Sequence, residues 1–307
     1  IMTTSGTVAI VMALMSLDLN PDDEVIVPNY TMIATINAIK FLNLKPIIID
    51  INENTFTLDY NGIRKNINDK TKCVIHVSLN NRYCNLDNIV KLCNDKNITL
   101  IEDSAQSLGC KLKNKSLGTF GKIGCFSLST PKIISTGQGG FIVTDDEELN
   151  KKIRMIKNFG REHSGVDNFL VFGLNFKFTD IQAVIGIEQM KKLDYRVKRM
   201  REIYDLYYEN LKDYYRILKP LNSEWIPWFV DIYIDNRDYL IKLLKCHNIQ
   251  TRPVYGEINK TNIYYSEKNF KNSNYVCNKG LFLPSYITLT NEEIIHICNI
   301  LKMLSLK

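Results

Sequence analysis

The chain has 307 residues, 45% of them hydrophobic and 23% charged, with a formal net charge of +6. That size and balance suit a soluble globular protein with one large domain, or one large and one small domain. No apolar stretch reaches the ~20 residues of a membrane-spanning helix. No basic stripe with interleaved aromatic residues marks a nucleic-acid binder. The mild positive bias suits small anionic ligands.

The four histidines are scattered. The eight cysteines (Cys73, Cys84, Cys93, Cys110, Cys125, Cys246, Cys277 and Cys298) form no CxxC pair. A metal site therefore has no support, and reduced core thiols in a cytoplasmic protein are expected. The chain opens at Ile1-Met2 without a secretory pattern, which reads as a missing N-terminal segment.

In chain order, Ser5-Gly6-Thr7 opens a helix predicted over 5–17, with Ser5 or Thr4 suited to the N-cap. Free amides at a helix start beside a glycine form a natural phosphate site, although a plain N-cap has the same pattern. A strand at 24–28, a helix at 31–42, a strand at 46–50, a helix at 59–66 and a strand at 72–79 follow. Asn80-Asn81 makes a turn, then come a helix at 86–94 and a strand at 98–103 that ends in Glu102-Asp103. Short strands alternating with helices of about ten residues predict a parallel sheet wrapped by helices. Ligands of such sheets bind at the carboxyl ends of the strands. Asp103, Gln106 and Lys132 all fall at or just beyond strand ends.

The apolar run 123–128 predicts a buried strand. It is followed by Ser129-Thr130-Pro131-Lys132, then Gly137, Gly139 and Gly140, then a second apolar run at 141–143. This places one lysine at a strand end beside a glycine-loosened loop, where backbone can approach a ligand. A lysine partly desolvated there can lose its proton and attack a carbonyl. Taken alone, Lys132 reads as one more solvated surface lysine, and only the rest of the chain changes that.

A charged helix is predicted at 147–158, and 159–175, with Gly160, Gly165 and Gly173, reads as a long loop of the kind that is functional or mobile. Thr179 caps a helix predicted from 180 to about 214 that crosses between domains. Beyond Pro220, strands at 225–235 and 250–255 and helices at 237–246 and 291–304 predict a small α+β domain. The expected organisation is a large domain over 1–190, a connecting helix over 191–215 and a small domain over 216–307.

Together these pieces meet the needs of one cofactor. Pyridoxal phosphate requires an amine for its aldehyde, an anion site for its phosphate and a carboxylate to keep its ring nitrogen protonated. Lys132 supplies the amine, and the Gly6 and Thr7 amides with Ser127 supply the anion site. Asp103 supplies the carboxylate, which stays ionised beside a cationic ring. Gln106 is placed to meet the ring hydroxyl.

The run SGT, then EDSAQSLG, then FSLSTPKIISTGQGG, then GLNFKFTDIQAVIGIEQM resembles, in order and spacing, the DegT-type nucleotide-sugar aminotransferases. The resemblance covers nearly the whole chain. It implies the α/β architecture of fold type I pyridoxal-phosphate enzymes: a mainly parallel seven-stranded sheet wrapped by helices, with a small C-terminal α+β domain. It makes Lys132 the amine that bonds the cofactor and moves the proton, and Asp103 the partner of the ring nitrogen. Gln106 contacts the ring oxygen, and Gly6, Thr7 and Ser127 bind the phosphate. Asn175 matches an asparagine that reaches the phosphate of the neighbouring subunit's cofactor, so a homodimer with shared active sites is implied. Family members begin several tens of residues earlier.

Three positions depart from the family pattern. Met32 stands where an aromatic ring usually stacks on the cofactor, and its thioether is expected to pack there instead. Gln138 makes the usual GEGG into GQGG. Asn80-Asn81-Arg82 follows Leu79, where relatives have a tyrosine-glycine pair. The retained lysine sets the chain apart from relatives that carry histidine there and run dehydrations.

The implied reaction moves an amino group from L-glutamate to a keto sugar carried on a nucleoside diphosphate. The stretch 126–140 is most similar to the perosamine and viosamine synthases, which favours a 4-keto-6-deoxyhexose aminated at carbon 4. The product would be a 4-amino-4,6-dideoxy sugar nucleotide of the UDP-viosamine or GDP-perosamine type. Alternatives are amination at carbon 3 and a non-catalytic cofactor-binding relative. A dinucleotide-binding oxidoreductase would need a GxGxxG motif that the chain lacks. Amino-acid aminotransferases grip carboxylates with arginine, and of the ten arginines only Arg154 and Arg161 lie near the glycine-rich loop in sequence. Sugar hydroxyls instead suit Asn80, Asn81 and His163.

Overall fold

The computed structural model describes residues 1–222 and 224–305. Its first half alternates as the sequence predicts. Strand β1 (Met2–Thr3) leads into helix α1 (Gly6–Met15), then β2 (Glu24–Pro28), α2 (Ala34–Phe41), β3 (Lys45–Ile49), α3 (Tyr60–Asn66), β4 (Thr71–Val77), α4 (Leu86–Asp95) and β5 (Thr99–Asp103). A short hairpin, β6 (Lys111–Leu112) and β7 (Lys115–Ser116), precedes β8 (Ile123–Ser127), β9 (Gly140–Val143) and α5 (Glu147–Lys157).

Seven of these strands form one sheet in the order β1-β9-β8-β5-β4-β2-β3. The pairs from β3 through β8 are parallel, and β9 closes the edge antiparallel to β8 and β1. This is the mainly parallel α/β sheet expected of fold type I. The parallel strands are near-continuous apolar runs because helices cover both faces; all five residues of β2 are buried.

Helix α1 is apolar all round, and Ala9 through Leu14 are buried. A helix without a polar face has to lie inside a layer, and α1 packs on β8, β9, α2 and α5. Two glycines permit its close seating. A Cβ at Gly140 would lie 2.6 Å from the Ser5 carbonyl oxygen, and one at Gly6 would lie 2.7 Å from the Ser127 Cβ. The start of α1 is thereby pressed against the ends of β8 and β9.

The second half comprises α6 (Asp180–Met190), α7 (Leu193–Leu211), β10 (Arg216–Ile217), β11 (Val230–Tyr233), α8 (Arg237–Cys246), β12 (Arg252–Pro253), α9 (Lys271–Lys279), β13 (Gly280–Leu283) and α10 (Asn291–Ser305). Its four strands form an antiparallel sheet in the order β10-β11-β13-β12. Helices α7 and α10 pack together over a core that includes Tyr204, Tyr207, Leu211, Ile294 and Leu301.

The structure corrects several sequence expectations here. The helix predicted from 180 to 214 is two helices, broken at Lys191-Lys192, where the Lys192 amide bonds back to the Gln189 carbonyl. The halves serve different surfaces. Helix α6 buries nothing within the chain, whereas α7 buries Met200, Ile203, Tyr204, Tyr207 and Leu211. The strand predicted at 225–235 is only β11, because the backbone before it is held by side chains of the loop after β4. The strand predicted at 250–255 is only β12. Helix α9 and strand β13 were not predicted: the segment KNSNYVCNK lacks a clear apolar period.

All eight cysteines are free thiols, six of them buried. No helix of the described residues is long and apolar enough to cross a membrane.

Candidate active site

A cavity of about 390 Å³ opens at the carboxyl ends of β4, β5 and β8. The start of α1 forms one wall. Ser5 is the N-cap; its hydroxyl accepts from the Val8 amide at 3.2 Å and its carbonyl accepts from the Ala9 amide at 3.0 Å. That leaves the first-turn amides of Gly6 and Thr7 to point out of the helix end, and no acidic residue sits in that turn. Ser127, at the end of β8, lies against Gly6. Helix amides, positive helix end and hydroxyl converge as an anion site.

Asp103 ends β5 at the floor of the cavity and is 5% exposed. One of its oxygens accepts from the Thr35 hydroxyl at 2.7 Å, the other from the Ala105 amide at 3.2 Å. Burial nonetheless raises its carboxyl above the ordinary range, against the opposing pull of these bonds and of Lys132. Among the described residues no lysine, arginine or histidine pairs with it. A buried carboxylate without a protein cation is suited to a cationic group brought in by a ligand.

Lys132 lines the same cavity from the turn after β8, where its amide bonds to the Ser129 carbonyl at 3.0 Å. Burial lowers its ammonium to about 8, with Asp103 pulling the other way. Its Nζ lies 4.0 Å from the centre of the Trp228 ring. Near neutral pH a useful fraction of the amine is unprotonated, as a nucleophile or proton carrier requires.

Met32, Gln106 and Gln138 also line the cavity. Met32 is 47% exposed, free to cover a ring from above. The side-chain carbonyl of Gln106 accepts from the Asn80 amide at 2.6 Å.

Other expected residues stand elsewhere. Asn80 and Asn81 are buried and do not line the cavity. The Asn80 side-chain Oδ1 accepts from the Trp228 and Phe229 backbone amides, both at 2.8 Å, and its Nδ2 donates to the Phe229 backbone carbonyl at 3.0 Å. Asn81 donates to the Ile226 carbonyl at 2.5 Å. Both side chains are committed to fastening the 225–231 segment and are not free for a sugar. Asn175 is exposed outside the cavity, bridged to Asn158. His163 is an exposed loop residue, also outside it. Arg154 bonds Asn150 and Arg161 pairs with Asp167, so neither borders the cavity.

The structure adds Thr35, Trp228, Arg252 and Tyr255 to the site. Trp228 and Arg252 come from short or irregular backbone of the second sheet's region, where no spacing rule links them to position 132. Each lies inside a stretch read as an element, Thr35 in the helix at 31–42, Trp228 in the strand at 225–235 and Arg252 and Tyr255 in the strand at 250–255, but nothing in the sequence marked any of them for the site.

A model of the DegT/DnrJ/EryC1/StrS aminotransferase family matches residues 1–302. The chain belongs to that family. It is 35% identical over 301 residues to a GDP-perosamine synthase of Escherichia coli O157:H7, covering 96% of this chain and 82% of that protein. It is 29% identical over 304 residues to a UDP-N-acetyl-3-dehydro-alpha-D-glucosamine 3-aminotransferase of Acidithiobacillus ferrooxidans, covering 97% and 82%. Among solved structures, E. coli GDP-4-keto-6-deoxy-D-mannose-3-dehydratase with bound hydrated PLP superposes with a TM-score of 0.89 at 28% identity, covering 98% and 87%.

The family's enzymes depend on pyridoxal phosphate, and this chain is an aminotransferase of that kind. Its residues fit the cofactor: an uncompensated buried carboxylate, an acid-free helix start with open amides, and a half-buried amine surround one cavity.

Proposed function

We propose that the chain moves an amino group from L-glutamate to a nucleotide-linked 4-keto-6-deoxyhexose, giving a 4-amino-4,6-dideoxy sugar nucleotide. The observation that carries this reading is the meeting of Lys132, Asp103 and the start of α1 around one cavity. The similarity to a GDP-perosamine synthase supports the choice of sugar. Amination at carbon 3 is the second reading, favoured by the similarity to a 3-aminotransferase. Lysine at position 132 supports amino transfer over dehydration.

Pyridoxal phosphate, when bound, supplies an aldehyde and an electron sink. The Gly6 and Thr7 amides and Ser127 would hold its phosphate, Asp103 would pair with the ring nitrogen, Gln106 would bond the ring oxygen and Met32 would cover the ring. Lys132 takes and returns the proton at the reacting carbon, from an amine poised near neutral pH. Arg252, on the cavity wall, is the cation available to a carboxylate or a diphosphate.

Asn175 acts in the partner's site within a homodimer. Supporting this, Asn175 lies outside its own cavity, near a broad apolar surface on α6 and the preceding loop that includes Phe172, Ile181 and Ile187. The chain is divided into a large domain over 1–190, a connecting helix over 191–215 and a small domain over 216–307, a reading that the separate second sheet supports.

A panel of UDP-, GDP- and TDP-linked keto sugars offered with glutamate tests the reading. A product with nitrogen at carbon 4 by NMR is expected. Faster consumption of pyruvate or oxaloacetate than of any nucleotide sugar would overturn it.

A further inference from the structure

Lys132 sits at a seam. It lines the catalytic cavity and also a neighbouring cleft of about 600 Å³, and the wall the two share is made by Pro131, Lys132, Trp228 and Arg252. Its ammonium finds no carboxylate within ion-pair reach among the described residues. What it meets is the face of Trp228, 4.0 Å away.

That ring is held rigidly. Its indole N–H donates to the Pro131 carbonyl at 3.0 Å, and its backbone amide donates to the Asn80 side chain at 2.8 Å. It also packs on Phe229, with ring centroids 4.3 Å apart and planes tilted by 32°. Trp228 therefore grips the residue before Lys132 with its edge and receives the lysine tip on its face.

The titratable and charged groups that line these two spaces with the amine are Asp103, Arg252 and Tyr255 in the cavity, and Arg196, Arg252 and Tyr286 in the cleft. None occupies the position of the ring. An indole face attracts an ammonium but has no lone pair with which to hold its proton. A carboxylate there would hold the proton and restrain the side chain. A π face steadies the charged form and still releases the amine.

We propose that Trp228 is a positioning residue for Lys132, a seat on which the ammonium rests whenever the amine is not bonded to the cofactor. The seat holds the side chain at the seam, within reach of the cavity, and keeps it from turning into the neighbouring cleft. The proposal rests on Lys132 being the reactive amine, a reading that the turnover of Lys132→Ala tests separately.

The chain has two tryptophans, Trp225 and Trp228, so tryptophan fluorescence reads the contact directly. With the full chain freed of cofactor, emission titrated from about pH 6 to about pH 9.5 should show a step centred near 8. The step should persist in Trp225→Phe and vanish in Lys132→Met and in Trp228→Phe. A step that survives in Lys132→Met, one that disappears with Trp225, or none in the unaltered chain overturns the proposal.

The pH dependence of Lys132 acylation, located by mass spectrometry, gives a second reading. Trp228→Leu keeps the desolvation but removes the π face, so the midpoint should fall by about half to one pH unit. Trp228→Phe should fall by less. An unchanged or raised midpoint in Trp228→Leu overturns the proposal even if the fluorescence step is present.

Discussion

Burial penalises the charge on both Lys132 and Asp103, and although each is felt by the other, neither has an ion-pair partner among the described residues. The fold has thus placed an amine and a carboxylate where a ligand supplies the missing partner. Lys132→Ala should lose turnover by several orders of magnitude while still binding cofactor through the start of α1. Asp103→Asn should lose more in rate than in cofactor affinity, read by turnover against cofactor titration. Equal rates for the variant and the unaltered chain would make Asp103 an ordinary strand-end carboxylate. His76 is a different kind of buried group. Both its ring nitrogens lack partners, and burial lowers it to about 4. Its folded pKa lies below its unfolded one, so protons favour the unfolded chain. The stability linked to it is complete above about pH 6.5 and falls below that, by up to about 1.4 kcal/mol per pH unit, until the folded pKa is passed. Urea midpoints should therefore drop less between about pH 7.5 and about pH 5 in His76→Leu than in the unaltered chain.

The loop after β4 is the element on which the site's assembly turns. Asn80 and Asn81 adopt left-handed backbone with φ of 51° and 60°, a conformation asparagine tolerates better than most residues. The turn aims their side chains at 226–229, and Arg82 follows into the interior. Arg82 grips Asp231 of β11 with two bonds, at 2.5 and 2.7 Å, with both side chains almost fully buried. Tyr233 donates to the same carboxylate at 2.5 Å. One loop thus fastens the second sheet to the first, and so sets where Trp228 stands against Lys132. Removing one partner strands a buried charge, and Arg82→Leu or Asp231→Asn should cost about 3–5 kcal/mol in denaturant unfolding. Arg82→Leu combined with Asp231→Asn should cost less than the sum of the two, because the double variant leaves no charge unpaired. Strict additivity would mean the two side chains do not act together.

At the scale of the whole molecule, the large apolar surface lies on α6. Ile181 is 77% exposed and Ile187 61%, and Phe172 in the loop before them is 75% exposed. Yet α6 is well made, with Thr179 and Gln182 forming a reciprocal capping box at its start. A stable helix whose large apolar residues face outward is the surface that the proposed homodimer would cover. Ile187→Glu should convert a dimer to a monomer by light scattering. Chains carrying Lys132→Ala mixed with chains carrying Asn175→Ala should recover part of the activity neither has alone. A fully active monomer would refute the shared site.

The sequence by itself determined the alternation of elements, the parallel sheet and the residues at its carboxyl edge, because strands covered on both faces read as short apolar runs and the helices between them as longer ones. It marked Gly6, Asp103, Gln106, Ser127 and Lys132 for the same reason, since each follows its own strand or opens its own helix. Only the tertiary structure decided the rest. Trp228 and Arg252 reach the cavity from backbone more than 90 residues beyond Lys132. The same packing turned Asn80 and Asn81 from candidates for the sugar into fastenings. The break at Lys191-Lys192 was equally hidden, because local propensity continues through it. It exists because α7 buries its apolar face within the chain while that of α6 turns outward, and no stretch of chain encodes where its neighbours will stand.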